Sequence, residues 1–231
     1  MKAMILAAGR GERFRPLTDS LPKPLIQVQG KPLIVRHLER LAEAGFKEVV
    51  INVSHLGNQI VSALGNGARW AIEIRYSHED APLETAGGIA TARAELGEAP
   101  FVLVNADVYC NFPLRSLAKC QLPQDDLGHL VMVPNPPFRP GGDFSLVGDR
   151  VGKLAGPRYT YSGIAVLRPR IVDGISAGAK AALGPLLMRE AEHACLGGEL
   201  YSGVWNDVGT PERLADLERD LNHAVNQGTP S

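Results

Sequence analysis

Short apolar runs alternate with amphipathic segments through the first hundred residues. The runs have the length of buried strands, and the segments between them place apolar residues at helical spacing. The segment 32–44 also has a proline at its first turn and a glycine just past its end, as helices commonly do. Strands are predicted at 2–7, 49–53, 71–76 and 100–104, and helices at 32–44, 55–64 and 86–96. This alternation predicts a largely parallel sheet covered by helices on both faces.

The pattern changes after residue 110. A proline- and glycine-rich loop at 134–142 interrupts it, and Thr210 is a plausible N-cap with Pro211 at the first helical position. Strands are predicted at 130–133, 144–147 and 159–167, and helices at 181–194 and 211–225. We expect one α/β domain over 1–225, with a mixed, mostly parallel sheet, and a disordered tail over 226–231.

Composition narrows the classes of function. The formal net charge of −1 is against the broad basic surface that nucleic-acid binding uses. No apolar stretch approaches the roughly 20 residues that span a bilayer, so no membrane association is expected. The three cysteines are odd in number and lack metal-ligand spacing, which favours free thiols in a reducing cytoplasm. Positive charge is concentrated locally, as a small anionic ligand requires, at Arg10, Arg13, Arg15, Lys23, Lys31 and Arg36.

The loop after the first predicted strand is the strongest chemical signal. Residues 9–15 contain two glycines and three arginines, and Lys23 follows between two prolines. Glycines let the backbone N–H groups approach phosphate oxygens, and arginines supply fixed positive charge. The loop lacks the third glycine of a dinucleotide fingerprint, because Phe14 stands there, and it lacks the GK[ST] of a P-loop. The sequence therefore predicts a polyphosphate site of another kind.

The segment Leu6-Ala-Ala-Gly-x-Gly-x-Arg13-x-x-Pro-Leu-Thr18, followed by Lys23-Pro24, closely resembles the signature of sugar-1-phosphate nucleotidyltransferases. The resemblance implies a Rossmann-like α/β fold. It also implies a reaction in which a sugar phosphate oxygen attacks the α-phosphorus of a nucleoside triphosphate and releases pyrophosphate. The half 1–110 would then bind the nucleotide, and the half 111–225 the sugar phosphate.

The resemblance assigns roles to individual residues. Arg13, Lys23 and Asp107 are expected to be catalytic, with Arg13 on the pyrophosphate and Lys23 on the α-phosphate or the incoming phosphate. Asp107 and Asp207 are expected to bind Mg²⁺, although Ala106 stands where many relatives have glycine. The expected nucleotide contacts are Leu6, Ala8, Gly9, Gly11, Glu12, Arg13, Lys23 and Gly87. The expected sugar-phosphate contacts are Asn105, Gly142, Asp143, Tyr161, Ser162 and Asn206.

The pattern over 181–187, 198–201 and 205–214 is most similar to the compact members of the family that transfer UMP from UTP to N-acetylmuramic acid α-1-phosphate in cell-wall recycling. The chain ends one predicted helix after Asp207, which also favours compact members, and a monomer or weak homo-oligomer is expected. Arg139 and Arg158 are both candidates to pair with the lactyl carboxylate of such an acceptor. Three alternatives stay open: a mannose-1-phosphate guanylyltransferase, a glucose-1-phosphate uridylyl- or thymidylyltransferase, and a non-catalytic nucleotide-binding subunit.

Overall fold

A central sheet and its flanking helices account for most of the chain in the computed structural model, which describes residues 1–153 and 156–226. The strands are β1 (Lys2–Leu6), β2 (Gln27–Val28), β3 (Lys31–Pro32), β4 (Glu48–Val53), β5 (Glu73–His78), β6 (Phe101–Asn105), β7 (Val108–Cys110), β8 (Gly128–Val133), β9 (Phe144–Val147), β10 (Arg150–Gly152), β11 (Arg158–Leu167), β12 (Leu196–Leu200) and β13 (Trp205–Asp207). The α-helices are α1 (Leu33–Glu43), α2 (Gly57–Leu64), α3 (Glu84–Thr91), α4 (Arg93–Leu96), α5 (Leu114–Ala118), α6 (Leu183–Glu192) and α7 (Pro211–Asn226).

Nine of these strands form one mixed sheet in the order β5-β4-β1-β6-β11-β8-β12-β10-β9. Pairing is parallel from β5 to β6 and again between β8 and β12, and antiparallel between the other neighbours. The first residues of β11 also pair with β9. The predicted α/β fold with a mixed sheet is confirmed, whereas parallel pairing predominates only in the amino-terminal half.

The two faces of the sheet carry separate apolar clusters, because consecutive strand residues point in opposite directions. Ile5 of β1 packs in the cluster that contains Leu38 of α1, while its neighbour Met4 packs in the cluster that contains Ile89 of α3. Both faces are therefore covered by helices, as the alternating pattern predicts. A third cluster joins the amino-terminal loop to α1 and α7 and consists of Phe14, Ile26, Val28, Leu33, Val208, Leu217 and Leu221.

The predicted and observed elements differ mainly where elements are short. The single helix predicted at 86–96 is two helices, α3 and α4, which meet at Ala92. The strands β7 and β13 have three residues each, too few for a periodic pattern, and the sequence did not predict them. The predicted disordered tail lies outside the described residues except for Asn226, which ends α7. In the part of the chain that is described, no helix is long and apolar enough to span a membrane.

Candidate active site

The loop that follows β1 is held in place by its own apolar residue. Phe14 is only 2% exposed and lies in the third cluster, so it anchors the loop to α1 and α7. Gly11 adopts φ 64°, a left-handed conformation that favours glycine, and its carbonyl accepts a hydrogen bond from Thr18 Oγ1 at 2.9 Å. The aromatic residue at the position of a third glycine thus gives the loop its shape.

The same loop forms one wall of a polar cavity of about 620 Å³. Within the described chain, the backbone N–H groups of residues 9–13 donate to no protein acceptor, so they remain available to a ligand. The exposed side chains of Arg10 and Arg13 add positive charge. The cavity is lined by Gly9, Arg10, Gly11, Glu12, Arg13, Lys23, Pro82, Asp107, Lys180 and Gly209. This arrangement suits a chain of phosphate groups.

An ion pair lies at the inner end of this phosphate cavity. Lys23 Nζ is 2.6 Å from Asp107 Oδ2, and the lysine side chain is only 9% exposed. Asp107 stands two residues after β6, while Lys23 belongs to the segment between the loop and α1. The ammonium group also lies 5.8 Å from the centre of the Phe14 ring. A cation and a carboxylate are therefore fixed where the loop meets the sheet.

A second cavity, of about 290 Å³, also has this ion pair in its wall. It is more apolar and follows the carboxyl ends of β1, β4 and β6, where parallel sheets commonly bind ligands. It is lined by Leu6, Ala7, Ala8, Gly9, Lys23, Pro24, Asn52, Glu79, Pro82, Glu84, Thr85, Asn105, Ala106 and Asp107. Its size and apolar walls suit a nucleobase and its ribose, and the phosphate cavity continues from it.

Asn52 and Glu79 line the second cavity and were not predicted. Asn52 accepts the Ala7 N–H at 2.8 Å and donates to Glu79 Oε1 at 2.7 Å, while Glu79 Oε2 accepts the Leu83 N–H at 3.0 Å. Both side chains are buried. The one sequence signal for Asn52 was that it is a polar residue within the apolar run of β4.

Asp207 comes next to Asp107 through the small sheet formed by β7 and β13. Asp207 stands opposite Val108 in this sheet, and the Val208 N–H donates to the Asp107 carbonyl at 3.0 Å. Asp207 Oδ2 pairs with Arg213 at 2.9 Å. Its Oδ1 is buried and has no hydrogen-bond partner among the described residues.

These carboxylates fit a divalent cation of the Mg²⁺ type. Within residues 1–153 and 156–226, the structure contains no group of three or more Asp, Glu, His or Cys side chains that could hold a metal ion. Mg²⁺ in nucleotide enzymes, however, commonly takes one or two carboxylates and completes its shell with phosphate oxygens and water. The unpartnered Oδ1 of Asp207 is an acceptor of the required kind, and Asp107 lines the phosphate cavity.

A third cavity, of about 490 Å³, adjoins the second one and shares Glu84, Thr85 and Asn105 with it. Asp143 and Tyr161, both predicted to bind the sugar phosphate, lie in its wall. The Tyr161 hydroxyl is buried without a partner in the described chain, and burial raises the pKa of this phenol. The remaining lining residues are Arg139, Phe144, Ala182, Leu183, Gly184, Leu187 and Met188. We call this space the acceptor cavity.

Five of the predicted site residues line none of these three cavities. A Cβ on Gly87 would lie 2.2 Å from the Ala179 carbonyl oxygen, and one on Gly142 would lie 2.7 Å from Asn135 Oδ1, so both glycines permit close packing. The Ser162 hydroxyl accepts the Ile164 N–H inside the sheet. The other two are Asn206 and Asp207 of β13. The ligand contacts expected of these residues stay predictions.

Arg213 was also missed as a site residue. Besides Asp207, it contacts Phe138 of the loop 134–142, with its guanidinium carbon 3.4 Å from the centre of the ring. A Cβ on Gly209 would lie 2.8 Å from both Arg213 Nη1 and Arg13 Nη2, which places the two arginines side by side. The first turn of α7 therefore links the phosphate cavity to the loop beside the acceptor cavity.

Comparison with known proteins identifies the family. The family model described as nucleotidyl transferase matches residues 2–137. The chain belongs to this family. A nucleotidyl transferase from Neisseria meningitidis serogroup B, named N-acetylmuramate alpha-1-phosphate uridylyltransferase, is 50% identical over 94% of this chain and 97% of its own length. The mannose-1-phosphate guanyltransferase of Aspergillus oryzae is 32% identical over 92% of this chain, which spans 62% of that protein.

Solved structures of low sequence identity share the nucleotidyl transferase fold. A Bacillus anthracis protein assigned as a glucose-1-phosphate thymidylyltransferase superposes with a TM-score of 0.83 at 19% identity, covering 95% of this chain and 94% of that one. HddC from Yersinia pseudotuberculosis, complexed with GMP-PN, gives 0.76 at 20% identity, covering 95% and 99%. The predicted family and its fold are confirmed.

Proposed function

We propose that this nucleotidyl transferase transfers UMP from UTP to N-acetylmuramic acid α-1-phosphate, giving UDP-N-acetylmuramic acid and pyrophosphate. Similarity to the Neisseria uridylyltransferase over nearly the full length of both chains supports the choice of base and sugar. The three adjoining cavities support the class of reaction, since a nucleoside, a triphosphate and a sugar each find a compartment of suitable polarity.

In the proposed reaction, an oxygen of the sugar phosphate bonds to the α-phosphorus of UTP. The bond from that phosphorus to the oxygen bridging to the β-phosphate breaks, and pyrophosphate leaves with the electron pair. Both reactants are anions, so the protein mainly has to position them and neutralise their charge. In this proposal Lys23 binds the α-phosphate, while Arg13 and the N–H groups of residues 9–13 hold the departing phosphates.

Asp107 and Asp207 are the residues that would hold Mg²⁺. When bound, the ion neutralises phosphate charge and orients the triphosphate. Lys23 and Arg213 neutralise these two carboxylates in the protein alone, at 2.6 and 2.9 Å. Lys23, which lines the phosphate cavity, would then also bind phosphate oxygens, while Arg213 would orient the Asp207 carboxylate.

The observation that carries this proposal is the position of the Lys23–Asp107 ion pair. It borders both the second cavity, which suits a nucleoside, and the phosphate cavity. Asn105, two residues before Asp107, lines the acceptor cavity. The α-phosphate of a bound nucleotide and the phosphate of a bound sugar would therefore meet beside one cation and one metal-binding carboxylate.

The test is pyrophosphate release from a panel of substrates. The protein is incubated with Mg²⁺, each of UTP, GTP, dTTP and CTP, and each of three sugars as α-1-phosphates: N-acetylmuramic acid, mannose and glucose. We expect the highest kcat/KM with UTP and N-acetylmuramic acid α-1-phosphate, and a UDP-sugar product by mass spectrometry. Preference for GTP and mannose 1-phosphate would replace the proposal by guanylyl transfer. Nucleotide binding without turnover of any pair would favour a regulatory subunit.

A further inference from the structure

The acceptor cavity contains an arginine whose side chain is largely available to a ligand. Arg139 lies in the loop 134–142, and its side chain is 53% exposed. Among the residues that the structure describes, Asp143 is the one hydrogen-bond acceptor of this guanidinium, at 2.7 Å from Nη1 to Oδ1. A guanidinium has five N–H donors, so most of those of Arg139 stay free to bind an anion.

Arg158, the other arginine near this cavity, is used differently. Its Nε donates to the Gly141 carbonyl at 2.9 Å, its Nη1 to the Lys153 carbonyl at 2.6 Å, and its Nη2 to the Asp143 carbonyl at 2.8 Å. Each nitrogen is therefore occupied by the backbone. Arg158 fixes the loop and does not line the acceptor cavity.

Asp143 holds the Arg139 guanidinium at the cavity. One oxygen of its carboxylate accepts from Arg139, and the other accepts the Tyr161 N–H at 2.9 Å. The arginine is thus oriented by a residue that is itself fixed to β11. Glu84, Thr85 and Asn105 line the side shared with the second cavity. Apolar side chains line another part of the wall, namely Phe144, Leu183, Leu187 and Met188.

A cation beside an apolar wall suits a sugar substituent that carries both a carboxylate and a methyl group. We infer that Arg139 binds the carboxylate of the acceptor sugar and determines the preference for acidic over uncharged amino-sugar phosphates. The planar fork of an arginine can bind both carboxylate oxygens at once, which an amide or a hydroxyl cannot do. This inference rests on the proposed function and adds the residue that recognises the carboxylate of the acceptor sugar.

The experiment compares two acceptors that differ in one charge. N-acetylmuramic acid α-1-phosphate and its lactyl methyl ester are assayed with UTP and Mg²⁺, using wild type, Arg139→Gln and Arg75→Gln. Arg75 is a matched control, because it is 49% exposed and pairs with one carboxylate, Glu73, at 2.9 Å on the edge strand β5. The readout is KM for each acceptor, or Ki where the ester is not turned over.

For Arg139→Gln we expect KM for the acid to rise about 10- to 100-fold, as is typical when a hydrogen bond to a charged group is lost. The ester constant and the KM of UTP should change by less than about twofold, and Arg75→Gln should match wild type. Equal weakening of acid and ester binding, or no change in either constant, would overturn this inference and leave the proposed function intact. If wild type uses a different sugar or base and gives no product with the acid, the proposed function fails and this inference with it.

Discussion

At the scale of single residues, the site depends on charges held at short distance. Lys23 and Asp107 are 84 positions apart in sequence, yet their side chains meet at 2.6 Å. Such a pair is partly shielded from water, so its charges act on a bound ligand more strongly than surface charges would. Two substitutions test the roles proposed for them.

Asp107→Asn should lower kcat about 100- to 1000-fold at saturating Mg²⁺, as removal of a group that stabilises charge in a transition state commonly does. The change removes a proposed metal ligand and leaves Lys23 without its counter-ion. Asp216→Asn is the control, since Asp216 is an exposed aspartate of α7 that also pairs with an arginine. Near-normal kcat for Asp107→Asn would mean that the metal binds elsewhere.

Lys23→Met keeps an apolar stem of similar length and removes the charge. We expect kcat to fall about 100-fold while the Kd of UTP, measured by calorimetry, rises less than about tenfold, because the charge acts chiefly in the transition state. Lys31→Met is a matched control, as Lys31 pairs with Glu39 at 2.7 Å away from the cavities. A large loss of UTP affinity with unchanged kcat would make Lys23 a binding residue only.

At the scale of elements, the loop after β1 depends on one backbone conformation. A Cβ on Gly11 would lie 2.9 Å from Lys23 Cβ and 3.0 Å from Thr18 Cγ2, in addition to the cost of φ 64°. Gly30, in the turn between β2 and β3, also has positive φ, but a Cβ there would meet no atom within 4 Å. Comparing substitutions at these two glycines therefore distinguishes the cost of backbone strain from the cost of steric contact.

Gly30→Ala should lower the free energy of unfolding by about 1 kcal/mol, the usual cost of the left-handed region. Gly11→Ala should lower it by about 2 to 3 kcal/mol, because the contact with Lys23 and Thr18 adds to that cost. It should also weaken UTP binding, since the loop must shift. Urea unfolding measures both values, and equal destabilisation by the two changes would contradict the packing argument.

The ends of the helices and strands show where sequence patterns are sufficient to predict an element. The helix α1 lies within one residue of its prediction, because a proline at the start and a glycine past the end mark it. The apparent helix at 86–96 instead divides at Ala92, where no proline or glycine marks a break. Three-residue strands such as β7 gain stability only from their partner, so no local signal identifies them.

At the scale of the whole molecule, the cleft lies where the strand order in the parallel half of the sheet reverses. The strand β1 has β4 on one side and β6 on the other, and the crevice beyond their carboxyl ends is the usual ligand site of such sheets. Under this crevice α1 buries His37, which is 3% exposed. Burial, aided by the charge of Arg40, lowers the pKa of His37 to about 4.

This histidine should make stability depend on pH. Its pKa is about 6.5 in the unfolded chain, so below that pH the unfolded state binds a proton that the folded state binds only near pH 4. Stability is therefore complete above pH 6.5 and should fall by about 3 kcal/mol as pH decreases to 4. Urea unfolding of His37→Gln should lack this part of the decrease, whereas exposed His193→Gln should keep it. Identical pH profiles for all three proteins would contradict the assignment.

The sequence alone determined the chemistry of the amino-terminal loop and the order of the long elements. Residues 9–15 and Lys23 predict a polyphosphate site, because the conformations of glycine and proline and the charge of arginine act over a few residues. Tertiary structure decided which distant groups meet. It brings Asp207 beside Asp107 and places Asn52 and Glu79 in the wall of the second cavity. It also distinguishes Arg139, which pairs with a carboxylate, from Arg158, which donates to backbone carbonyls. Strand pairing brings Asp207 to Asp107 across a hundred residues, and no local spacing encodes that contact.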